Sequence, residues 1–133
     1  MAGYLLDTNI VSAAIREPRG LLSQRIARAG ERNVFTSVIV AAELRFGALR
    51  RGSLRLRASL DAILGGMEIA PLETAAVEHY ARLRMALERV GEPISANDML
   101  IAAHALALDA TLVTDNEREF GRIDGLAVEN WLR

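Results

Sequence analysis

Tyr4-Leu5-Leu6-Asp7-Thr8-Asn9-Ile10 is a short apolar run that stops at a carboxylate. From Thr8 to Arg16 the apolar residues Ile10, Ala13, Ala14 and Ile15 then recur at helical spacing until Pro18 closes the pattern. The stretch reads as a strand, an acidic residue at its end, and a helix. The same alternation continues outward. Leu21 to Ala29 is helical and ends at Gly30, Asn33-Val34-Phe35-Thr36 is a second strand, and Ser37 is placed to cap a helix from Val38 to Leu49. A further helix is expected from about Leu54 to Leu64, and a third strand from Met67 to Ala70, stopped by Pro71. Thr74 is then expected to cap a long helix with Ala76, Tyr80, Leu83, Leu87 and Val90 on one stripe, ended by Gly91. Ser95 or Asn97 starts a helix through Leu108, Thr111-Leu112-Val113-Thr114 is a fourth strand ending at Asp115, and Leu126-Ala127-Val128 is a candidate fifth. Short apolar strands alternating with amphipathic helices, without a hairpin signal between them, predict the α/β class: a central parallel sheet of four to five short strands wrapped by helices.

The chain has 133 residues, 51% hydrophobic and 25% charged, which is the size and balance of one domain spanning 1–133 that buries its own core. It has no cysteine, which excludes disulfide frameworks, thiolate zinc sites and cysteine nucleophiles and suits a reducing cytoplasm. No apolar run approaches the roughly 20 residues of a membrane helix, and the first residues lack a basic region followed by a long apolar stretch, so a soluble, unprocessed, cytoplasmic protein is expected. Net charge is −1, so the whole molecule does not attract nucleic acid electrostatically. All sixteen basic residues are arginine, which excludes any mechanism that needs a lysine. No acidic residue falls between Glu43 and Asp61, whereas Arg45, Arg50, Arg51, Arg55 and Arg57 do. That segment is either a phosphate-contacting surface or a solvated helical face whose arginine stems cover apolar groups.

In wound α/β sheets ligands gather beyond the carboxyl ends of the strands. Asp7 and Asp115 both stand there. Glu43 lies within Val38-Ile39-Val40-Ala41-Ala42-Glu43-Leu44, where an ionised carboxylate without a partner is costly. Asp98 stands in the first turn of the apolar helix that follows Ser95. Each has a bland alternative: Asp7 or Asp115 as a helix cap, Asp98 as a first-turn or capping-box residue, Glu43 on a solvent-facing side. Together the four sit where such a fold builds sites. Converging carboxylates raise one another's pKa unless a cation neutralises them, and oxygen ligands select Mg2+ or Mn2+. Neither His79 nor His104 has a second histidine at ligand spacing, and both read as structural. A divalent ion bound by carboxylates suits phosphodiester cleavage by activated water.

The opening Tyr4–Ile10 run resembles that of PIN-domain proteins, in which a strand delivers an Asp-Thr or Asp-Ser pair. It is joined, in family order, by Val38–Gly47 with Glu43, Pro93–Ala102 with Asp98, and Leu112–Phe120 with Asp115, Asn116 and Glu119. With Gly125–Trp131 the resemblance covers essentially the whole chain and is closest to the VapC toxins of bacterial toxin–antitoxin modules. It implies a metal-dependent endoribonuclease with Asp7, Glu43 and Asp98 as acidic metal-site residues and Thr8 in support. For the fourth acidic position, Asp115 is taken first, with Asn116 as an alternative ligand or water-holder and Glu119 as a weaker candidate. The resemblance further implies an RNA substrate, a homodimer, and a cognate antitoxin whose C-terminal tail crosses the acidic groove with an arginine among the carboxylates. Arg45, Arg50, Arg51 and Arg55 are candidate RNA contacts. A magnesium-dependent phosphatase or phosphorelay receiver is disfavoured by the missing lysine, and nucleotide-binding enzymes by the absence of Gly-x-Gly-x-x-Gly and Gly-Lys-Ser/Thr loops. A non-catalytic PIN scaffold that binds RNA or an antitoxin is the remaining alternative.

Overall fold

The computed structural model describes residues 3–133. Strand β1 (Tyr4–Leu6) is followed by α1 (Thr8–Arg16) and α2 (Leu21–Ala29), and after one 3-10 turn β2 (Val34–Ser37) leads into α3 (Val38–Arg51) and α4 (Leu54–Gly65). Next come β3 (Glu68–Ala70), α5 (Ala76–Arg89), α6 (Ala96–Ala107), β4 (Thr111–Val113), the one-turn α7 (Glu117–Phe120) and β5 (Val128–Glu129). All strands run parallel in the order β3-β2-β1-β4-β5. The chain winds toward one edge through β3, crosses back over the sheet through α5 and α6, and winds toward the other edge. Right-handed crossovers therefore place helices on both faces. The reversal leaves β1 and β4 side by side, with Leu6 opposite Val113, and makes their carboxyl ends the place where loops diverge.

Burial follows from that arrangement. Leu5 and Leu6 point to opposite faces of the central strand and both are fully buried, as are Leu112 and Val113 of β4. Around them pack Ile10 and Val11 of α1, Val40 of α3, Ile101 to Ala103 of α6, and Phe120. Alanines at 102, 103 and 105 let α6 lie close to its neighbours. A smaller cluster of Ala41, Ala48, Leu60 and Leu64 closes the hairpin of α3 on α4. Gly52 makes the turn between them with φ 64°, and its N–H caps the carbonyls of Ala48 and Leu49. Among the described residues no helix is long and apolar enough to cross a membrane.

Ser37, Asp7 and Ser95 cap α3, α1 and α6, so the aspartate at the end of β1 does serve as a helix cap. Three local expectations fail. Thr74 does not cap α5: the helix begins at Ala76 behind a turn, its N-cap is Ala75, and no side chain caps it. Val90 leaves the buried stripe because the helix ends at Arg89, and its side chain is 64% exposed. The last strand is Val128–Glu129 rather than 126–128, since its ladder starts only where Val128 meets Leu112.

His104 has the structural part expected of it. It is 1% exposed; its Nε2–H donates to the Pro71 carbonyl at 3.1 Å, leaving Nδ1 to accept from the Ser37 hydroxyl at 2.8 Å. Ser37 Oγ in turn accepts from the Ile39 N–H at 3.0 Å, so one imidazole ties α6 to the cap of α3 and to the end of β3. Replacing His104 with alanine strands two buried polar groups and opens a cavity, and is expected to cost about 3 kcal/mol in urea unfolding. Burial lowers the His104 pKa, so the unfolded chain takes up this proton first as pH falls. The stability that His104 contributes is complete above its ordinary pKa near 6.5 and lost below it, so the gap between wild type and His104→Ala should narrow from pH 8 to pH 5.

Candidate metal centre

Asp7 occupies the end of the central strand, its N–H bound to the Val113 carbonyl across the β1–β4 junction at 2.9 Å. The residue is only 4% exposed. Oδ1 accepts from the Thr8 N–H and Oδ2 from the Thr114 hydroxyl, each at 2.8 Å. Burial nevertheless pushes the carboxyl pKa upward, with the charges of Glu43 and Glu119 adding to it against those two hydrogen bonds.

Glu43 stands in the second turn of α3, half-buried rather than turned to solvent. Its Oε1 accepts from the Thr8 hydroxyl at 2.7 Å and its Oε2 from Asn97 Nδ2 at 3.1 Å. The residue after Asp7 and the residue before Asp98 thus each hold one oxygen of Glu43. Asp98 is also half-buried, its N–H capped by Ser95 Oγ at 3.1 Å. Its pKa is pushed up to about 6, first by burial, then by the charges of Asp7 and Glu119, with Glu43 adding a smaller push and the Ser95 hydroxyl opposing.

The three candidates for the fourth position are placed differently. Thr114 turns inward onto Asp7, so the next side chain along the extended backbone turns outward, and Asp115 is exposed. Its Oδ1 accepts from Asn130 Nδ2 at 3.0 Å, and it is not among the principal charges acting on Asp7 or Asp98. Glu119 is. Asn116 donates to Glu119 Oε2 through Nδ2, while its own N–H is held by Thr114 Oγ1 at 3.0 Å. The short helix α7 thus swings Glu119 back toward the junction that Asp115 leaves. Asn9 bridges the two sides, accepting from the Asp115 N–H at 3.0 Å and lying 3.5 Å from both Asp7 Oδ2 and Thr114 Oγ1. Asn9, Asn97 and Thr114 escaped the sequence reading, although each adjoins or neighbours a carboxylate already singled out.

Of the arginines, Arg45 pairs with Asp61, and Arg50 lies over the Phe46 ring at 5.6 Å. Arg55 is exposed on α4, and Arg51 lines a cleft that also reaches Thr8 and Glu43.

Asp7, Glu43, Asp98 and Glu119 come from four separate segments and supply oxygen donors only, and the charges of the other three add to the raised pKa of Asp98. That donor chemistry fits a hard divalent cation. As the side chains lie, no three acidic or imidazole groups among the described residues are drawn in to ligating spacing. Each carboxylate rests instead on its own hydroxyl or amide partner.

Comparison with known proteins agrees with this architecture. The family model described as PIN domain matches residues 4–126. Ribonuclease VapC2 of Rickettsia felis is 39% identical over 96% of this chain and 97% of its own length. The tRNA(fMet)-specific endonuclease VapC of Shigella flexneri is 30% identical over 98% and 99% respectively. The crystal structure of VapBC2 from Rickettsia felis bound to a DNA fragment from their promoter contains a chain that superposes with a TM-score of 0.88 at 38% identity, covering 96% of this chain and 98% of that one. With strand-end acids on a parallel sheet, a family match over residues 4–126, and full-length likeness to such enzymes, the chain belongs to the PIN-domain family, in its VapC branch.

Proposed function

We propose that this chain is the ribonuclease toxin of a toxin–antitoxin pair. In this reading it cuts RNA phosphodiesters with Mg2+ or Mn2+ held by Asp7, Glu43 and Asp98, and Glu119 and Asn116 complete the acidic ring. The observation that carries the reading is the linkage of Asp7, Glu43 and Asp98 through shared partners, Thr8 binding both Asp7 and Glu43 and Asn97 joining Glu43 to the turn that presents Asp98, from three segments joined only by the fold. A bound divalent ion supplies neutralising charge for the phosphate and lowers the pKa of an attacking water. The chain's own contribution is preorganisation. Thr114 and the Thr8 N–H hold Asp7, Thr8 and Asn97 each hold one Glu43 oxygen, and Ser95 fixes the turn that presents Asp98. These partners orient the oxygens before substrate arrives, and binding of the ion has to draw the carboxylates the remaining way to ligating spacing.

Support for an antitoxin partner comes from solved relatives described as VapBC structures, one of them, VapBC-5 from Mycobacterium tuberculosis, as a member of the VapBC family of toxin–antitoxin systems. The antitoxin tail lies across the acidic groove with an arginine among the carboxylates, and the toxin acts in the cytoplasm as a homodimer. The Shigella flexneri relative is named for a transfer RNA, which makes a structured RNA with an accessible loop the first substrate to try.

Asp7→Asn and Asp98→Asn should each keep the fold by circular dichroism and lower Mn2+-dependent RNA cleavage by more than about a hundredfold. Full activity in both would refute the assignment of the metal site to these carboxylates, whereas a wild type that binds RNA and cleaves none with Mn2+ would leave the non-catalytic scaffold as the better reading. For the fourth position, Glu119→Gln should weaken Mn2+ binding in calorimetry by about tenfold, and Asp115→Asn should leave it unchanged.

The raised pKa of Asp98 also sets a stability prediction. The folded chain keeps this proton up to about pH 6 and the unfolded chain releases it near 4, so the contribution is favourable at low pH and is lost as pH rises through about 6. In chelator at pH 7.5, Asp98→Asn should therefore melt above wild type, with the advantage gone by pH 4. Mn2+ should raise the melting temperature of wild type but not of this variant.

A further inference from the structure

A cleft of about 270 Å³ opens beside the acidic ring, and Thr8 and Glu43 form the wall shared with it. Its floor is aliphatic, from Ile15, Leu44 and Leu56. Arg16 and Arg51 also line it, both are exposed, and among the described residues neither forms an ion pair. Each ends a helix, where a cation complements the dipole. The dipole accounts for a basic residue at each end but not for both facing one cleft.

Gly47 is the second observation. It sits in the interior of α3 with an ordinary helical φ, a position where glycine weakens a helix relative to alanine. A Cβ built there meets no atom within 4 Å. Neither backbone conformation nor crowding calls for glycine, yet Gly47 lines this cleft. Its missing side chain keeps the space open.

Resting on the ribonuclease reading above, we infer that this cleft seats one unpaired nucleotide of the RNA adjoining the scissile phosphate, its base on the aliphatic floor at Gly47 and its phosphate between Arg16 and Arg51. The arginines resolve an electrostatic difficulty. The acidic ring repels a polyanion, and the chain as a whole carries −1, so the strand needs local cations to approach. Arg45 is paired with Asp61, Arg50 lies over Phe46 and Arg55 is not part of the cleft lining, whereas Arg51, with Arg16 from another helix, is placed to meet the backbone beside Glu43. At about 270 Å³ the cleft has room for a splayed base, which favours loops and single strands.

The test uses a short fluorescently labelled single-stranded RNA, with binding read by anisotropy in chelator, where nothing is cleaved, and cleavage read separately with Mn2+. Gly47→Leu fills the open space and should weaken binding by about tenfold without lowering the melting temperature, raising KM for cleavage while kcat holds. Arg16→Gln and Arg51→Gln, both surface changes that leave the core untouched, should each reduce the slope of log K against log salt by about 1. Unchanged binding in Gly47→Leu, or unchanged slopes in both arginine variants, overturns the subsite. So does a Gly47→Leu chain that binds RNA normally yet no longer holds its antitoxin, since the cleft would then belong to the peptide. If wild type binds the RNA and loses it in these variants, but cleaves nothing with Mn2+, the subsite stands and the nuclease reading falls.

Discussion

Burying the Asp7 carboxylate at the carboxyl end of the central strand is the constraint around which the rest of this molecule is arranged. A charge in that position is unfavourable unless it is hydrogen-bonded and neutralised. Two of its needs are met by neighbours that the fold provides, Thr8 one residue on and Thr114 at the end of the adjacent strand. Because the crossover through α5 and α6 returns β4 to the side of β1, residues more than a hundred positions apart share one oxygen cluster. Glu43 and Asp98 arrive from helices capped at their starts by Ser37 and Ser95, and His104 locks those two helices together. Sheet order, helix caps and one buried imidazole thus serve a single purpose, holding like charges closer than they would choose.

That arrangement sets stability against activity. Asp98, with its pKa pushed up to about 6, is ionised at neutral pH at a cost to the cation-free fold, and in the proposed reading a divalent ion would offset that cost on binding. An arginine from an antitoxin would relieve it equally well by a different route. The surface chemistry has the same duality. In the proposed reading, an acidic ring that favours cations also repels RNA, and the arginines beside it would allow a polyanion and a metal to share one groove.

Much of this was legible in the residues. The Tyr4–Asp7 and Leu112–Asp115 runs announce strands that end in acid, and the alternation with helices implies a parallel sheet with its site at those ends. Asp7, Glu43 and Asp98 stand out because carboxylates in apolar surroundings need a reason. The choice among Asp115, Asn116 and Glu119 for the fourth position was not legible, because it depends on which way one side chain turns after β4. Once Thr114 is drawn inward by Asp7, Asp115 must face out to Asn130, and Glu119 returns only because a single helical turn happens to follow. Such a turn leaves no periodicity to read. The polar partners Asn9 and Asn97 were hidden for a related reason: their role lies in contacts across 106 and 54 positions of chain, not in their own neighbourhoods. Thr74 shows the converse, a good capping residue left unused because the helix begins two residues later.

The central claim is that carboxylates from separate segments jointly grip one hard cation. Anomalous diffraction from crystals soaked in Mn2+ measures this directly. The account predicts a manganese peak bounded by the carboxylates of Asp7, Glu43 and Asp98, on the side toward Glu119. A peak at Asp115 and Glu117 instead, or none beside Asp7 when manganese is found elsewhere on the protein, would contradict it.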